Sequence, residues 1–428
     1  MVNFVCKYNH LKHIEVMNLL KHLLLLLCCS AVLTTGACNK SEKTSSAANS
    51  AAQVTKPLPV ITGAACTDQY VPLLKGKRIA LLSNQTGTVG DKHVLDVMLE
   101  KGLNVTVIFS PEHGFRGKAD AGEHVSSSVD EKTGIPIASL YDGKSRYPSK
   151  ETMDKFDVIV TDLQDVGLRF YTYYVTMINL MEAAAEHGKD FVVFDRPNPN
   201  GMTVDGPILD MNLKSGVGRL PIPTVYGMTM GELALMANGE GWLKNGVKVK
   251  NLKVIPCKNY THQTRYELPI APSPNLPNML SIYLYPSLCY FEGTTVSLGR
   301  GTDFPFQCYG HPQMTGYEFS FTPVSRFGAK TPPQQDKLCH GVDLRGLDPE
   351  TVIAQGINLE YVIDAYNNLK KAGAQFYLKN RFFDLLMGNT RVRQMIAEGK
   401  TAAQIKATWK EGIEIFKKQR KPYLLYPE

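Results

Sequence analysis

Val105-Thr-Val-Ile-Phe-Ser-Pro-Glu-His-Gly-Phe-Arg-Gly117 passes from a β-branched, apolar run straight into a loop holding a carboxylate, an imidazole and a guanidinium. The apolar half reads as a buried strand. The polar half sits at its carboxyl end, where open α/β sheets bind their ligands, and the flanking glycines allow close approach of backbone or substrate. Glu112 is therefore the first residue to suspect of chemistry, with His113 and Arg116 beside it. The competing reading is an acidic loop with a chance Glu-His pair.

Around this stretch, short apolar runs alternate with helical patterns. Strands are predicted at Arg78–Ser83, Val105–Phe109, Pro136–Tyr141, Asp157–Thr161 and Phe191–Phe194, and helices at Asp91–Lys101 and Tyr171–His187, the second closed by Gly188. Near-continuous apolar strands separated by helices imply a parallel sheet covered on both faces. The expected fold is α/β, a Rossmann-like parallel sheet domain over residues 61–254 followed by a smaller α+β domain over 255–428. Beyond Met228–Ala237, a helix with Thr229 as N-cap, and a strand within Val247–Pro256, the chain becomes loop-rich. Phe319–Val324 is expected to pair in a small sheet, and Leu359–Ala372 and Thr401–Lys418 read as amphipathic helices.

The first strand leads into Ser83-Asn-Gln-Thr-Gly-Thr-Val-Gly90, which lacks the G-x-G-x-x-G order, and no G-x-x-x-x-G-K-[ST] occurs. Neither a dinucleotide nor an ATP site is expected, and no cofactor is implied. Polar residues instead follow four of the strands: Asn84-Gln85, Glu112-His113, Gln164-Asp165, and Asp195-Arg196 with Asn198. All fall at carboxyl ends, which predicts a polar-ligand cleft on that rim.

With 428 residues, 43% hydrophobic and 20% charged, the bulk of the chain is ordinary globular protein. A net charge of +7, with the cations scattered, does not favour nucleic acid as a partner. The amino terminus differs. Leu23–Ala37 is uncharged and Leu-rich, too short to span a bilayer comfortably but long enough for a signal-peptide core, and Met17 would open a conventional basic leader. Thr35-Gly-Ala-Cys38 resembles a lipobox, with Thr35 where an aliphatic residue is usual. Residues 1–38 are thus expected to be a signal peptide with a lipid anchor at Cys38, and residues 39–60 a flexible tether poor in large apolar side chains. That arrangement places the protein in the cell envelope. Five cysteines remain, Cys66, Cys257, Cys289, Cys308 and Cys339, with no C-x-x-C pair, so no structural metal site is expected. They leave room for one or two disulfides or for free buried thiols.

Several longer motifs resemble the bacterial exo-β-N-acetylmuramidase family: Ser83–Gly87, Phe109–Gly117, Asp162-Leu-Gln-Asp-Val-Gly-Leu-Arg-Phe-Tyr171, Asp195-Arg-Pro-Asn-Pro-Asn200, Tyr226–Thr229, Pro272-Ser-Pro-Asn275, Phe291-Glu-Gly-Thr294 and Gly299-Arg-Gly-Thr302. The resemblance runs from about Lys77 to the carboxyl terminus. It implies a Rossmann-like domain joined to a smaller one with the active site between them, and exo-acting release of N-acetylmuramic acid from the non-reducing ends of peptidoglycan fragments.

Such a reaction needs a proton for the leaving oxygen and negative charge beside an oxocarbenium-like centre, usually two carboxyl groups. Glu112 is the candidate acid. Glu292, Asp303, Asp165 and Glu123 are candidates for its partner, with Glu292 first because its Gly-bounded turn belongs to the second domain. Where the substrate's N-acetyl group is the nucleophile, Asp165 or Asp303 would orient the amide instead. The lactyl carboxylate of muramic acid calls for a planar cation, for which Arg116, Arg169 and Arg300 are candidates. Asn84, Gln85, His113, Gln164, Asn275 and Thr302 complete the expected substrate contacts. Phe170, Tyr171 and Tyr173 can stack on a sugar but fit better as packing for the helix. Two other readings stand beside this one. The pairs Glu112-His113 and Glu123-His124 would serve a metal-dependent wall hydrolase, and a non-catalytic lipoprotein would bind the fragments without turnover.

Overall fold

The computed structural model describes residues 58–111, 115, 128–140 and 146–428. The expected leader with Cys38, most of the expected tether, and Glu112, His113, Arg116, Glu123 and His124 lie outside the described residues. Six strands run parallel: β1 (Arg78–Ser83), β2 (Asn104–Ser110), β4 (Pro136–Ser139), β5 (Val158–Asp162), β6 (Asp190–Phe194) and β7 (Leu252–Ile255). A short antiparallel edge strand, β3 (Ser128–Val129), completes a seven-stranded sheet in the order β3-β4-β2-β1-β5-β6-β7.

Alternation along β1 explains why the sheet is covered twice. Ile79 and Leu81 point to one face, where they pack with Tyr70 and Leu74 of α1 (Thr67–Leu74) and with Val94, Leu95 and Met98 of α2 (Val94–Glu100). Ala80 and Leu82 point to the other, against α3 (Tyr173–Glu186) and α4 (Met230–Gly239). That second core continues without a break into the carboxyl-terminal half, through α5 (Met279–Leu288), Phe291 and Phe306. Here a three-stranded antiparallel sheet, order β8-β10-β9, forms from β8 (Cys308–His311), β9 (Phe319–Phe321) and β10 (Cys339–Asp343). Helices α6 (Glu360–Lys371) and α7 (Phe382–Met387) follow. The last residues return to the first sheet, where Tyr426 Oη donates to Asp195 Oδ2 at 2.6 Å.

Several boundaries moved for identifiable reasons. Thr229 does cap α4, with a reciprocal capping box to Glu232. Thr401–Lys418 is two helices rather than one, Ala402–Ala407 and α8 (Lys410–Arg420), because Trp409 turns inward and its Nε1 donates to Asp205 Oδ1 at 3.1 Å. The five described cysteines are all buried free thiols. Among the described residues, no helix is long and apolar enough to cross a membrane.

Candidate active site

The order of the parallel strands, third-second-first-fourth-fifth-sixth along the chain, puts a topological switch point between β1 and β5. Most of the polar groups at these carboxyl ends are buried and hydrogen-bonded within the rim. Arg196 pairs with Asp162, Nε to Oδ1 at 2.6 Å and Nη2 to Oδ2 at 2.9 Å, and also reaches the Thr88 carbonyl at 2.9 Å. Asn84 Oδ1 accepts from Thr86 Oγ1 at 2.6 Å, and Gln164 Nε2 donates to the Pro197 carbonyl at 2.7 Å. Gln85 is half-buried, with its Oε1 unpartnered. Asn84 and Gln164 hold the loops of the rim together, and Asn84, Gln85 and Gln164 are not among the residues that line the cleft described below.

Asp165 belongs to the same layer. Its Oδ1 accepts from the Gly167 amide at 2.7 Å and from Tyr226 Oη at 2.8 Å, while Oδ2 has no partner. Burial pushes its carboxyl up to about 6, against the lowering effect of those hydrogen bonds. Burial likewise raises Asp195 to about 6. Carboxyls raised in the folded state above their ordinary 3.8 stabilise the protein while protonated, and that contribution is lost as pH rises through about 6. Stability is therefore expected to fall between about pH 4 and pH 6, by up to about 3 kcal/mol for each group. Asp157, held down to about 2 chiefly by its hydrogen bond from Arg78, acts below that window. Urea midpoints measured from pH 4 to 7 should show a shallower slope in Asp165→Asn than in the native chain. Identical slopes would rule out the buried acid.

The cleft lies where the two halves meet, with a volume of about 760 Å³. Phe170, Tyr171, Thr172 and Tyr173, between β5 and the start of α3, form one wall. Glu292, Leu298, Arg300 and Phe306 form another, and the segment from Gly328 to Pro333 a third. Tyr171 Oη and Tyr173 Oη both donate to the Pro272 carbonyl, at 2.9 and 3.3 Å, so these rings serve as packed wall as well as lining. Ser273 and Asn275, from the same Pro-Ser-Pro-Asn run, line the cleft, and Asn275 Nδ2 holds the Gly328 carbonyl at 2.6 Å.

Glu292 sits in a 3-10 turn, Cys289–Gly293, that follows α5 directly. Gly293 is required there because a Cβ would fall 2.4 Å from the Phe383 backbone of α7. Arg300 stands between Gly299 and Gly301, whose φ angles of +85° and +83° belong to glycine, so the motif throws the guanidinium toward the cleft. Its Nε and Nη2 both donate to Glu292 Oε1, the first at 3.0 Å, and Phe306 lies 5.0 Å beneath the guanidinium. Burial would lower Arg300, but the Glu292 carboxylate outweighs it and holds the guanidinium above its ordinary value.

Three other candidate residues are engaged away from the cleft lining. Arg169 is fully buried, and its fork is consumed by the carbonyls of Pro207, Ile222, Leu386 and Met387, at 2.7, 2.9, 3.1 and 2.8 Å. Thr302 Oγ1 bonds the Gly299 carbonyl at 2.6 Å and stabilises the turn instead of facing a ligand. Asp303, 89% exposed, pairs with Arg326 outside the cleft. Arg146 and Lys330 were not foreseen, yet both line the cleft. They lie in loops with no periodicity and no motif to mark them.

The model of "Exo-beta-N-acetylmuramidase NamZ, N-terminal" matches residues 79–280, and its carboxyl-terminal counterpart residues 283–426. This chain belongs to the NamZ exo-β-N-acetylmuramidase family. The peptidoglycan β-N-acetylmuramidase NamZ of Bacillus subtilis is 40% identical over 371 residues, covering 83% of this chain and 89% of the relative. Two crystal structures of DUF1343 family proteins from Bacteroides fragilis share the fold. One is 59% identical with a TM-score of 0.81, over 87% of this chain and all of that one; the other is 28% identical with a TM-score of 0.73, over 86% and 99%. The two NamZ models meet within α5, the helix that carries the chain from the first sheet to Glu292.

Proposed function

We propose that the protein is an exo-acting glycosidase that releases N-acetylmuramic acid from the non-reducing ends of peptidoglycan fragments. The observation that carries the mechanism is Glu292, held by Arg300 in a cleft walled by both NamZ halves. In this reading Glu112 protonates the leaving oxygen and the Glu292 carboxylate supports the positive charge that develops at the anomeric carbon. Family membership supports the substrate class. A substrate-assisted route through Asp165 or Asp303 is less favoured, because the first is buried beneath the cleft and the second points outside it. Export, and attachment to the membrane through a lipid on Cys38, follow from the leader and fit a substrate in the cell wall.

Incubation with a chromogenic β-N-acetylmuramide and with the matching N-acetylglucosaminide is the direct test. Release from the muramide alone is expected, unaffected by a chelator. Release from neither sinks the glycosidase reading, and loss of release after chelation favours the metal-dependent hydrolase. Among the described residues, no group of three or more His, Cys, Asp and Glu is placed to hold a metal ion.

A further inference from the structure

Glu292 is gripped through one oxygen. Both Nε and Nη2 of Arg300 donate to Oε1, and among the described residues no donor reaches Oε2. The carboxyl keeps 22% of its side chain exposed where it lines the cleft. A fork spent on a single oxygen fixes the rotation of the carboxylate and leaves the second oxygen free to act.

The seat of that fork is strained. Phe306 is 1% exposed, lies 5.0 Å from the guanidinium carbon, and meets the Tyr285 ring nearly at right angles with centroids 4.8 Å apart. Its backbone φ is +57°, a left-handed conformation that is a genuine outlier for a bulky side chain. It is the third residue of a tight turn with Pro305 before it, closed by the Gln307 amide to the Phe304 carbonyl at 3.2 Å, where glycine is the ordinary choice. The Phe306 amide also bonds the Leu298 carbonyl at 2.8 Å, which ties this turn to the segment that carries Arg300. That segment is pinned from both sides: a Cβ on Gly299 would stand 2.9 Å from Cys308 Sγ, and one on Gly301 2.6 Å from the Val324 carbonyl oxygen. Strain of this kind persists where the surrounding structure over-determines it, and it gathers at functional sites. Glycine at 306 would release the strain but remove the ring beneath the cation.

We propose that Phe306 and Arg300 are positioning residues acting in series: the Phe306 ring seats the guanidinium, and the guanidinium turns Glu292 so that Oε2 faces the reacting centre. The inference rests on the glycosidase reading for the task of Glu292, but it has a readout of its own. Tyr285 and Cys289, the other titratable groups acting on Arg300, are both pushed far up by burial and stay neutral. Arg146 and Lys330 are the other charged groups among the described residues of the cleft lining, and both stay in place in every variant that follows.

The full chain is assayed on a chromogenic β-N-acetylmuramide as Phe306→Leu, Arg300→Gln, Arg300→Lys and the double variant Phe306→Leu/Arg300→Gln. A desolvated cation–π contact that acts on the reacting group corresponds to about 30-fold in rate at most, so Phe306→Leu should lower kcat by roughly 5–30-fold. Its KM should change by less than about threefold. Arg300→Gln should lower kcat by roughly 100-fold, the loss that follows a misplaced reacting group. The acid limb of its kcat/KM profile should move to higher pH, because a carboxylate deprived of its cation is protonated more readily. Arg300→Lys should return the limb toward its native position without restoring kcat, since an ammonium carries the charge but not the planar fork. The double variant should be no slower than Arg300→Gln. Without turnover, the same displacement is followed by pH titration of the Glu292 carboxyl 13C resonance, assigned by its loss in Glu292→Gln, with Phe306→Leu moving it less than Arg300→Gln. Additive losses in the double variant, a raised KM at native kcat in Phe306→Leu, or a Glu292 titration unchanged by Arg300→Gln would overturn the pair. Phe306→Met takes the place of Phe306→Leu where thermal melting shows that variant to be unfolded. A native chain that releases no muramide, but whose Glu292 titration follows both substitutions, would support the pair while overturning the glycosidase reading.

Discussion

Arg169→Met is expected to lower the melting temperature by about 8 °C or more while leaving muramide selectivity in the surviving folded protein unchanged. The guanidinium is fully buried, and its partners are four backbone carbonyls: Pro207 and Ile222 from the loops after β6, Leu386 and Met387 from the end of α7. Burial lowers its basicity, and the nearby Tyr290 and Tyr174 only partly oppose that. The last carbonyls of a helix lack intrahelical donors, and a cation placed there also meets the negative end of the helix dipole. Methionine fills much of the volume but leaves all four acceptors without this donor. At about 1–3 kcal/mol for each buried group left unsatisfied, a total near 4 kcal/mol or above is expected. That is a large share of the stability of an ordinary domain. Thermal unfolding and the muramide-to-glucosaminide ratio of kcat/KM together decide between a structural and a substrate-binding role. A variant of native stability that has lost its preference for the muramide would return Arg169 to the substrate.

Arg169 also shows where sequence reading stopped. The near-continuous apolar runs of β1, β2, β5 and β6 report burial on two faces, and burial on two faces is what marks a parallel sheet between helices, so the fold was legible strand by strand. Residues at carboxyl ends were legible as a set, but not which of them face outward. A motif such as Asp162–Tyr171 mixes both kinds: Asp162, Gln164, Asp165 and Arg169 bind backbone or other buried side chains, whereas Phe170 and Tyr171 reach the cleft. Sequence carries the residue type that a site needs, and buried loop scaffolds need the same types to satisfy their backbone. Glu292 and Arg300 could be singled out because glycines flank them, a mark of constrained turns. Arg146 had no such mark, since the glycine it lies against, Gly216, is 70 residues away in sequence.

Glu292→Gln and Glu112→Gln should each remove most of the activity, but they should part company when the leaving group is changed. Loss of a general acid costs roughly 10²–10⁴ in rate on a leaving group that needs its proton. An aryl leaving group of low pKa departs without that help, so Glu112→Gln should recover most of its rate on such a substrate. The carboxylate that supports the oxocarbenium-like centre is needed whichever group departs, so Glu292→Gln should lose roughly 10²–10³ in kcat on both. The structure adds a second consequence. Glu292 is the partner of Arg300, and its replacement by the neutral amide leaves that guanidinium without a charged partner among the described residues of the cleft. The freed cation then repels the developing positive charge, whereas an anionic ligand gains a new contact. Glu292→Gln is therefore expected to bind N-acetylmuramic acid at least as tightly as the native chain while failing to turn over its glycosides. This split of affinity from kcat is measurable by calorimetry beside the chromogenic assay. Recovery of Glu292→Gln on the low-pKa aryl glycoside would transfer the role of acid to Glu292, and full activity on both substrates would remove it from the chemistry.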